Sequence, residues 1–507
     1  MNAVAPGRSL PGRPAGAVLD PAGALRALAA RPLDRMAGTP LVPGNRVRLL
    51  EDAAQNYPAW LEAIAGATRY VHFETYIFAD DAVGRRFAQA LAAKAREGVT
   101  VRLVYDWMGC LGQASAALWR GLREAGVDVR VFNRPRIDDP LGWLTRDHRK
   151  TISVDGRIAF VSGLCVAKPW EGDDAHGVRP WRDTGIRIEG PAVADIERAF
   201  AQVWSMTGAP LPPEALAQDD ACAPAGDVSL RVIATMPGAM SMYRIDLLVA
   251  AAAQHRLWLT DAYFVGVAAH VNALCTASQD GVDVRLLVPG ASDVPAVAAL
   301  SRAAYRPLLR AGVRVFEWNG PMLHAKTAVA DDHWVRIGSS NLNPASWIGN
   351  CELDVTVEDA GFAQAMADSF KRDLEDSTEI VLAGRRVARR EPRPAHQRLP
   401  GQRTGSASRV LAGTLGAGNA VGAALAARRE LGPAEAQLAA VVAAALAVAA
   451  LLAIVFPRLV AIPLGVLLAW CGVALALKAW RLHVRATRFK RARRRRRRRR
   501  PAPRRAR

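Results

Sequence analysis

The sequence predicts an α/β protein of two tandem α/β/α units related by a pseudo-twofold axis, followed by a C-terminal transmembrane helical hairpin. Two observations predict the units: strand-like and helix-like segments alternate along the chain, and the same order of segments occurs twice. Two adjacent apolar runs near the C-terminus predict the hairpin. A chain of 507 residues is long enough for several folding units, each with its own core.

The α/β pattern begins near Asn45. Residues 70–78 predict a buried strand, the Ala-rich residues 81–97 a helix, and residues 99–105 the next strand. Strands that alternate with helices favour a sheet covered by helices.

The same pattern then returns in the same order. Residues 97–104, 124–132 and 147–155 are echoed by residues 280–287, 310–316 and 323–331. The echoes lie roughly 175 to 187 residues apart, which is too long for a solenoid repeat. The chain therefore contains a duplicated unit of domain size, whose copies can pack about a pseudo-twofold axis.

Composition suggests the boundaries between these parts. We expect a flexible lead-in over residues 1–39, a first unit over 40–208, a linker over 209–227, a second unit over 228–384, an Arg/Pro/Gly-rich linker over 385–437, two transmembrane helices over 438–477 and an Arg-rich cytoplasmic tail over 478–507.

The hairpin prediction rests on residues 438–456 and 459–477, two runs of 19 residues without formal charge. Each is close to the roughly 20 residues that span a bilayer as a helix. A buried hairpin in a soluble core is the alternative, but such helices usually carry a polar face. Trp470 and Trp480 fit interface anchors, and the 17 Lys/Arg after residue 477 predict a cytoplasmic side.

The formal charge of +20 belongs to the tail. Residues 1–384 hold 39 Lys/Arg and 44 Asp/Glu, whereas residues 385–507 hold 28 and 3. Such a tail suits anionic lipid headgroups as well as nucleic acid, although the run Arg493–Arg500 could also be a solvated low-complexity segment. Because nucleic-acid sites usually place basic surface on the catalytic body, we favour lipid and expect no nucleic-acid partner.

The six cysteines are scattered, without a CxxC pair or a Cys/His cluster of metal-ligand spacing. We therefore expect reduced thiols facing a cytosol, with neither a structural metal nor a cofactor.

Two complete HxKxxxxD motifs carry the chemistry, one in each copy of the unit. They consist of His148, Lys150 and Asp155, and of His324, Lys326 and Asp331. On a strand, the His and Lys of one motif would point to the same face because side chains alternate. A turn of small residues follows each motif, at residues 162–165 and 338–341.

These residue types suit a phosphodiester. A lysine neutralises a non-bridging oxygen, and a histidine attacks phosphorus or protonates the leaving oxygen. Two such faces that meet across a twofold axis provide a nucleophile and an acid on opposite sides of the phosphate. We expect the aspartates of the motifs to be structural, holding the turn that follows each strand.

The motif pair resembles the phospholipase D superfamily and, within it, the bacterial cardiolipin synthases. Further matching stretches are residues 45–51, 72–78, 180–183, 188–191, 338–343 and 350–352. The resemblance covers roughly residues 40–380 and implies two phospholipase D-like units that share one active site.

The resemblance also implies a reaction: a phosphatidyl group passes from one phosphatidylglycerol, through a phosphohistidine, to the alcohol of another. The two histidines would be nucleophile and general acid/base, and the two lysines phosphate ligands. Ser339 and Asn341 match phosphate-binding positions of the family. Glu352 and Asp183 are candidate acids that orient the two histidines. An anionic phospholipid substrate in a membrane is the implied partner; which histidine attacks, and the oligomeric state, stay open.

The sequence departs from the family at Cys165, where Asn is usual, at Ser162, where Gly is common, and at Ala262, where Pro is usual. A thiol is a poor donor to phosphate oxygen, so the first unit is expected to bind phosphate less well. A phospholipase D hydrolase is the main alternative, and a nucleic-acid phosphodiesterase or an inactive membrane scaffold are weaker ones. The remaining histidines read as core or surface residues: His72, His176, His255, His270, His333 and His396.

Overall fold

The computed structural model describes residues 34–135, 145–217, 222–383 and 386–389, together with six isolated residues between 462 and 473. Apart from those six, the predicted hairpin over 438–477 lies outside the described residues, as do the tail over 478–507, nearly all of the linker over 385–437, and residues 1–33. None of the described helices combines the length and apolar character that a membrane crossing requires.

The first unit alternates strands and helices as the sequence predicts. Its elements are β1 (Val42–Glu51), α1 (Asp52–Ala65), β2 (Tyr70–Thr75), α2 (Ala82–Arg96), β3 (Thr100–Asp106), α3 (Ala116–Glu124), β4 (Asp128–Phe132), β5 (Thr151–Val154), β6 (Ile158–Ser162), α4 (Lys168–Glu171), β7 (Thr184–Glu189) and α5 (Val193–Thr207). Helix α2 begins where its N-cap residue, Asp81, accepts a hydrogen bond from the Gly84 amide at 2.9 Å.

The second unit repeats this order. Its elements are β8 (Val228–Thr235), α6 (Ser241–Ala252), β9 (Arg256–Thr260), α7 (Ala268–Gln279), β10 (Asp283–Pro289), α8 (Pro295–Ala303), α9 (Tyr305–Arg310), β11 (Arg314–Trp318), β12 (Thr327–Ala330), β13 (Trp334–Gly338), β14 (Glu352–Glu358), α10 (Ala360–Glu375), β15 (Ser377–Ala383) and β16 (Arg386–Arg389). Strand β16 pairs with β15 and so extends this unit past the boundary predicted at residue 384.

The described strands form one sheet in the order β16-β15-β11-β10-β9-β12-β13-β14-β8-β1-β7-β6-β5-β2-β3-β4. In each unit three strands run parallel, β2-β3-β4 and β9-β10-β11, and the strand after the HxK motif joins them antiparallel. The two copies thus have matching topologies, and both place their motif at the same relative position in the sheet.

The two units share one hydrophobic core. Its members on the first unit include Val161 and Ile186, and those on the second include Ile337 and Val355, all at most 1% exposed. The first strands of the units, β1 and β8, also pair with each other. Buried Asn45 reinforces this junction, because its side-chain amide donates to the carbonyl oxygens of both Val42 and Val228.

The aspartate of each motif closes the turn at the far end of its strand. Asp155 and Asp331 both have positive φ, 55° and 51°. The Asp155 carboxylate accepts four hydrogen bonds of 2.8 Å, from the backbone amides of residues 68–70 and the Thr68 hydroxyl, which hold the start of β2. Asp331 accepts from the corresponding amides before β9. A strand of four residues, roughly 13 Å, therefore separates Asp155 from the HxK segment.

We expect Asp155→Ala to lower the free energy of unfolding by about 2 to 4 kcal/mol, because several backbone amides lose a charged acceptor. Chemical denaturation measures this change. Asp332→Ala is the control, since the Asp332 side chain is 82% exposed and its ion pair with Arg256 should contribute below about 1 kcal/mol. An Asp155→Ala protein as stable as the control would contradict a structural role for this turn.

Candidate active site

Each HxK segment is extended and leads into the following strand, β5 or β12, rather than lying on it. Both segments pair with a segment of the other unit. The His148 amide donates to the Cys351 carbonyl oxygen at 2.9 Å, and the His324 amide donates to the Arg182 carbonyl oxygen at 2.7 Å. This pairing places His148 beside Glu352, the residue after Cys351. It likewise places His324 beside Asp183, the residue after Arg182.

The first histidine lies against a carboxylate of the second unit. Nδ1 of His148 is 3.0 and 3.1 Å from the two carboxylate oxygens of Glu352. Glu352 is fully buried and also accepts hydrogen bonds from the Ser339 hydroxyl at 2.5 Å and the Asn350 amide at 3.0 Å. Burial alone would raise the pKa of Glu352, but His148, Lys150 and Ser339 together hold this pKa at about 2. Glu352 is therefore an anion that fixes the ring of His148.

The second histidine lies against a carboxylate of the first unit. Nδ1 of His324 is 2.8 Å from Oδ2 of Asp183, and the Trp170 indole N–H donates to the same oxygen at 2.8 Å. The Thr184 amide donates to the other oxygen of Asp183. Burial opposes ionisation, but His324 and its neighbours lower the pKa of Asp183 below its usual value. The two histidine-carboxylate pairs are thus crossed between the units.

Both imidazoles are neutral in this setting. Burial lowers the pKa of His324 to about 3, and Lys326 and Lys150 add to the effect while Asp183 opposes it. Burial also lowers the pKa of His148, with Glu352 opposing. With the carboxylate at Nδ1, the proton of each neutral ring lies on Nδ1, so each Nε2 carries a free lone pair.

The two lysines are buried beside their histidines. Lys150 and Lys326 are 3% and 1% exposed, and each ammonium donates to the carbonyl oxygen of its own motif's histidine. Burial lowers the pKa of Lys326 to about 8, and Lys150 contributes to the lowering, although Asp183 opposes it. The electrostatic effect of Lys150 on Lys326 and on His324 indicates that both motifs belong to one site.

Aromatic rings surround the histidines. The ring centroids of Trp170, Trp181 and Tyr263 lie 5.1, 5.8 and 5.7 Å from that of His324. Tyr76, the counterpart of Tyr263 in the first unit, lies 5.0 Å from His148. These contacts keep the imidazoles out of bulk water, which strengthens their interactions with the carboxylates.

The turn residues differ in what they offer a ligand. Asn341 is 4% exposed, and its side-chain oxygen has no hydrogen-bond partner among the described residues. This oxygen can therefore accept a hydrogen bond from a hydroxyl of a ligand in the site. The Ser339 hydroxyl, by contrast, is occupied by Glu352 and the Leu353 amide. Cys165 is 1% exposed, and burial raises the pKa of its thiol, which stays protonated.

Two residues of the site were not predicted. Trp170 contacts both members of the Asp183 pair, and Arg182 positions the backbone there, since its guanidinium donates to the Asp183 carbonyl oxygen and to Asp373 of α10. Arg182 lies in the matched stretch 180–183, so the resemblance of that stretch to the family is a sequence signal for it. No sequence signal marks Trp170, because it lies 13 residues from Asp183 in an ordinary helix-loop context.

Other histidines of the described chain pack away from this site or are exposed. His72 stacks between Tyr70 and Phe200, His270 packs against Trp347, and the His176 side chain is 77% exposed. His396 lies outside the described residues. Within the part of the chain that the structure describes, no cluster of His, Cys, Asp or Glu side chains is suited to a metal ion.

Comparisons with known proteins agree with this geometry. The family described as "Cardiolipin synthase, PLD-like domain" matches residues 60–204 and 248–374, each of which contains one motif. Cardiolipin synthase A of Pseudomonas aeruginosa is 34% identical over 374 residues, which cover 71% of this chain and 73% of that protein. Cardiolipin synthase A of Pseudomonas putida is 33% identical over 363 residues, covering 70% and 73%.

A solved structure shares the fold. The phosphatidylserine synthase of Haemophilus influenzae Rd KW20 superposes with a TM-score of 0.55 at 14% identity, over 69% of this chain and 92% of that one. The family match and the identity to curated relatives over more than two thirds of both chains establish the relationship that the motifs predict. The chain belongs to the cardiolipin synthase family of phospholipase D-like proteins.

Proposed function

We propose that the protein is a phosphatidyltransferase that makes cardiolipin from two molecules of phosphatidylglycerol through a phosphohistidine intermediate. The observation that carries the proposal is the pair of buried, crossed histidine-carboxylate pairs, each with a lysine beside it. The curated relatives named cardiolipin synthase support the choice of substrate.

The geometry supports a two-step reaction. In the first step Nε2 of one histidine forms a bond to phosphorus, and the bond from phosphorus to the glycerol oxygen breaks. The other histidine, which binds a proton on Nε2 when the anionic phosphodiester enters the site, delivers that proton to the glycerol oxygen. In the second step the histidine that gave up its proton acts as the base and removes the proton from a hydroxyl of another phosphatidylglycerol. That hydroxyl then attacks phosphorus and releases the first histidine. Glu352 and Asp183 stabilise the cationic forms of the rings.

The remaining polar groups of the site would hold the phosphate. Lys150 and Lys326 neutralise its non-bridging oxygens, and the Asn341 amide adds a hydrogen bond. Ser339 acts on Glu352 instead of on the phosphate. Asp155 and Asp331 act from the far end of their strands and make no contact with the reacting atoms.

Transfer is favoured over hydrolysis by the burial of the site. The side chains of His148 and His324 are only 12% and 6% exposed, and aromatic rings cover them. A dry site favours resolution of the phosphohistidine by a lipid hydroxyl over resolution by water. A phospholipase D hydrolase remains the alternative. A nucleic-acid phosphodiesterase is disfavoured, because residues 1–384 have more acidic than basic side chains.

The protein is proposed to act at the bacterial inner membrane, with both units facing the cytoplasm. The apolar runs over 438–477 would anchor the chain, and the Arg-rich tail over 478–507 would lie against anionic lipid. This arrangement brings a body with an excess of acidic side chains to the surface that contains its substrate.

Replacing either His148 or His324 by Ala should lower turnover of phosphatidylglycerol by about three orders of magnitude or more, because each mutation removes a nucleophile or an acid from one shared site. His176→Ala, on an exposed histidine, should retain wild-type activity. Phosphatidylglycerol labelled at phosphorus should leave label on only one histidine after quenching in an alkaline denaturant, which preserves the phosphorus–nitrogen bond. Substantial steady-state turnover in either Ala variant would rule out a shared site.

The activity should fall on the alkaline side near pH 8. The lowered pKa of Lys326, about 8, means that its positive charge is present below this pH and is lost above it. This alkaline limb of the pH profile should appear in kcat/KM, whose pH dependence reports the pKa values of groups in the free enzyme. Lys326→Arg should keep residual activity and move this limb to higher pH, because arginine does not deprotonate in that range. The exposed control Lys371→Arg should leave the profile unchanged, and an unmoved limb in Lys326→Arg would assign it to another group.

Truncated chains test whether the apolar runs over 438–477 anchor the protein in the membrane. A chain that ends after Lys490 should stay in the membrane fraction, since the remaining basic residues each contribute about 1 kcal/mol of attraction. A chain that ends after Arg390, which keeps β16, should be released and should act on phosphatidylglycerol in detergent micelles but poorly on vesicles. Equal activity of this shorter chain on vesicles would contradict anchoring, and faster cleavage of DNA than of lipid would contradict the substrate.

A further inference from the structure

The two buried carboxylates of the site receive a hydrogen bond from different side chains. The Ser339 hydroxyl donates to Oε2 of Glu352, and the Trp170 indole N–H donates to Oδ2 of Asp183. In both cases the acceptor is an oxygen that also lies within 3.0 Å of the histidine Nδ1. In each pair, therefore, one side-chain donor binds the carboxylate oxygen that also lies beside the histidine, and only the identity of the donor differs.

The matched position in the first unit cannot supply the same donor. Gly163 corresponds to Ser339, because the Gly163 amide donates to the carbonyl oxygen of Thr184 as the Ser339 amide does to that of Leu353. A Cβ at Gly163 would lie 2.1 Å from Oδ1 of Asp183, far inside van der Waals contact. A serine is thus excluded there, and a donor to the carboxylate must come from another element.

Helix α4 brings that donor into place. Trp170 is 2% exposed, and its ring stands perpendicular to the His324 ring at 5.1 Å. It also packs against Trp181, with ring centroids 4.7 Å apart. Because the indole is almost fully buried and contacts both rings, its N–H remains directed at Asp183.

We propose that Trp170 is a positioning residue that holds Asp183 against Nδ1 of His324, the counterpart in the first unit of Ser339 in the second. Its role in turnover rests on the proposed function, whereas its effect on the hydrogen bond of His324 does not. The indole N–H of Trp170 donates to the carboxylate and is therefore not available to a phosphate.

The test is Trp170→Phe, which keeps an aromatic ring and removes the N–H. In the full-length protein in detergent micelles, kcat for phosphatidylglycerol should fall about tenfold, with KM changed less than about twofold, because the loss concerns the orientation of the base and not the lipid contacts. Trp60→Phe is the control, since the Trp60 indole nitrogen is buried, lacks a hydrogen-bond partner among the described residues, and lies in the core of the first unit.

A second measurement does not need turnover. The proton on Nδ1 of His324, identified by its loss in His324→Ala, should give a low-field NMR signal. In Trp170→Phe this signal should move upfield, because Asp183 is no longer held against Nδ1 and the hydrogen bond between them becomes longer and weaker. If the wild-type protein does not convert phosphatidylglycerol, the proposed function fails, and this signal alone decides the role of Trp170.

An unmoved signal together with unchanged kcat, or a raised KM with an unmoved signal, would overturn the proposal. If Trp170→Phe does not fold, 3-benzothienylalanine at position 170 replaces it, since this amino acid keeps the bicyclic shape of tryptophan and lacks the N–H. The same upfield shift and loss of kcat are expected there, and their absence would overturn the proposal equally.

Discussion

The structure depends on one constraint: each histidine of the site requires a carboxylate that the other unit supplies. Backbone hydrogen bonds from His148 to Cys351 and from His324 to Arg182 bring each motif beside the partner segment, and Glu352 and Asp183 then reach across. Neither unit contains a complete pair. The shared core and the β1–β8 junction therefore hold both pairs together.

Two buried arginines connect the segments that form the crossed histidine-carboxylate pairs. Arg149, between the motif's His and Lys, donates to the carbonyl oxygens of Glu352 and of Ala199 in α5. Arg182 donates to Asp373 of α10, and it pairs with Asp52 at the start of α1. A buried guanidinium without partners would be strongly unfavourable, so these contacts favour one relative arrangement of the units over any other.

The parts of this structure that depend on local patterns could be predicted from the sequence. Strand and helix periodicity predicted the duplicated α/β units, and the motifs with their matched stretches predicted the histidines and carboxylates that the structure brings together. The donor to Asp183 could not be predicted, because Trp170 reaches it only through tertiary packing. The hydroxyl of Ser339 was expected at a phosphate and instead lies on Glu352, since burial of that carboxylate demands a donor. Strand β16 was missed because the Arg-rich composition around it resembles a linker.

The crossing of the pairs also bears on how such a chain can change over evolutionary time. A single unit with this topology would complete its site only as a symmetric dimer, and every position would then have to suit two identical environments. Joining two copies in one chain removes that requirement. Gly163 and Ser339 occupy matching positions but lie beside different carboxylates, Asp183 and Glu352. Cys165 and Asn341 are likewise different residues at matching positions. Duplication within one chain lets two originally equivalent histidines acquire different surroundings.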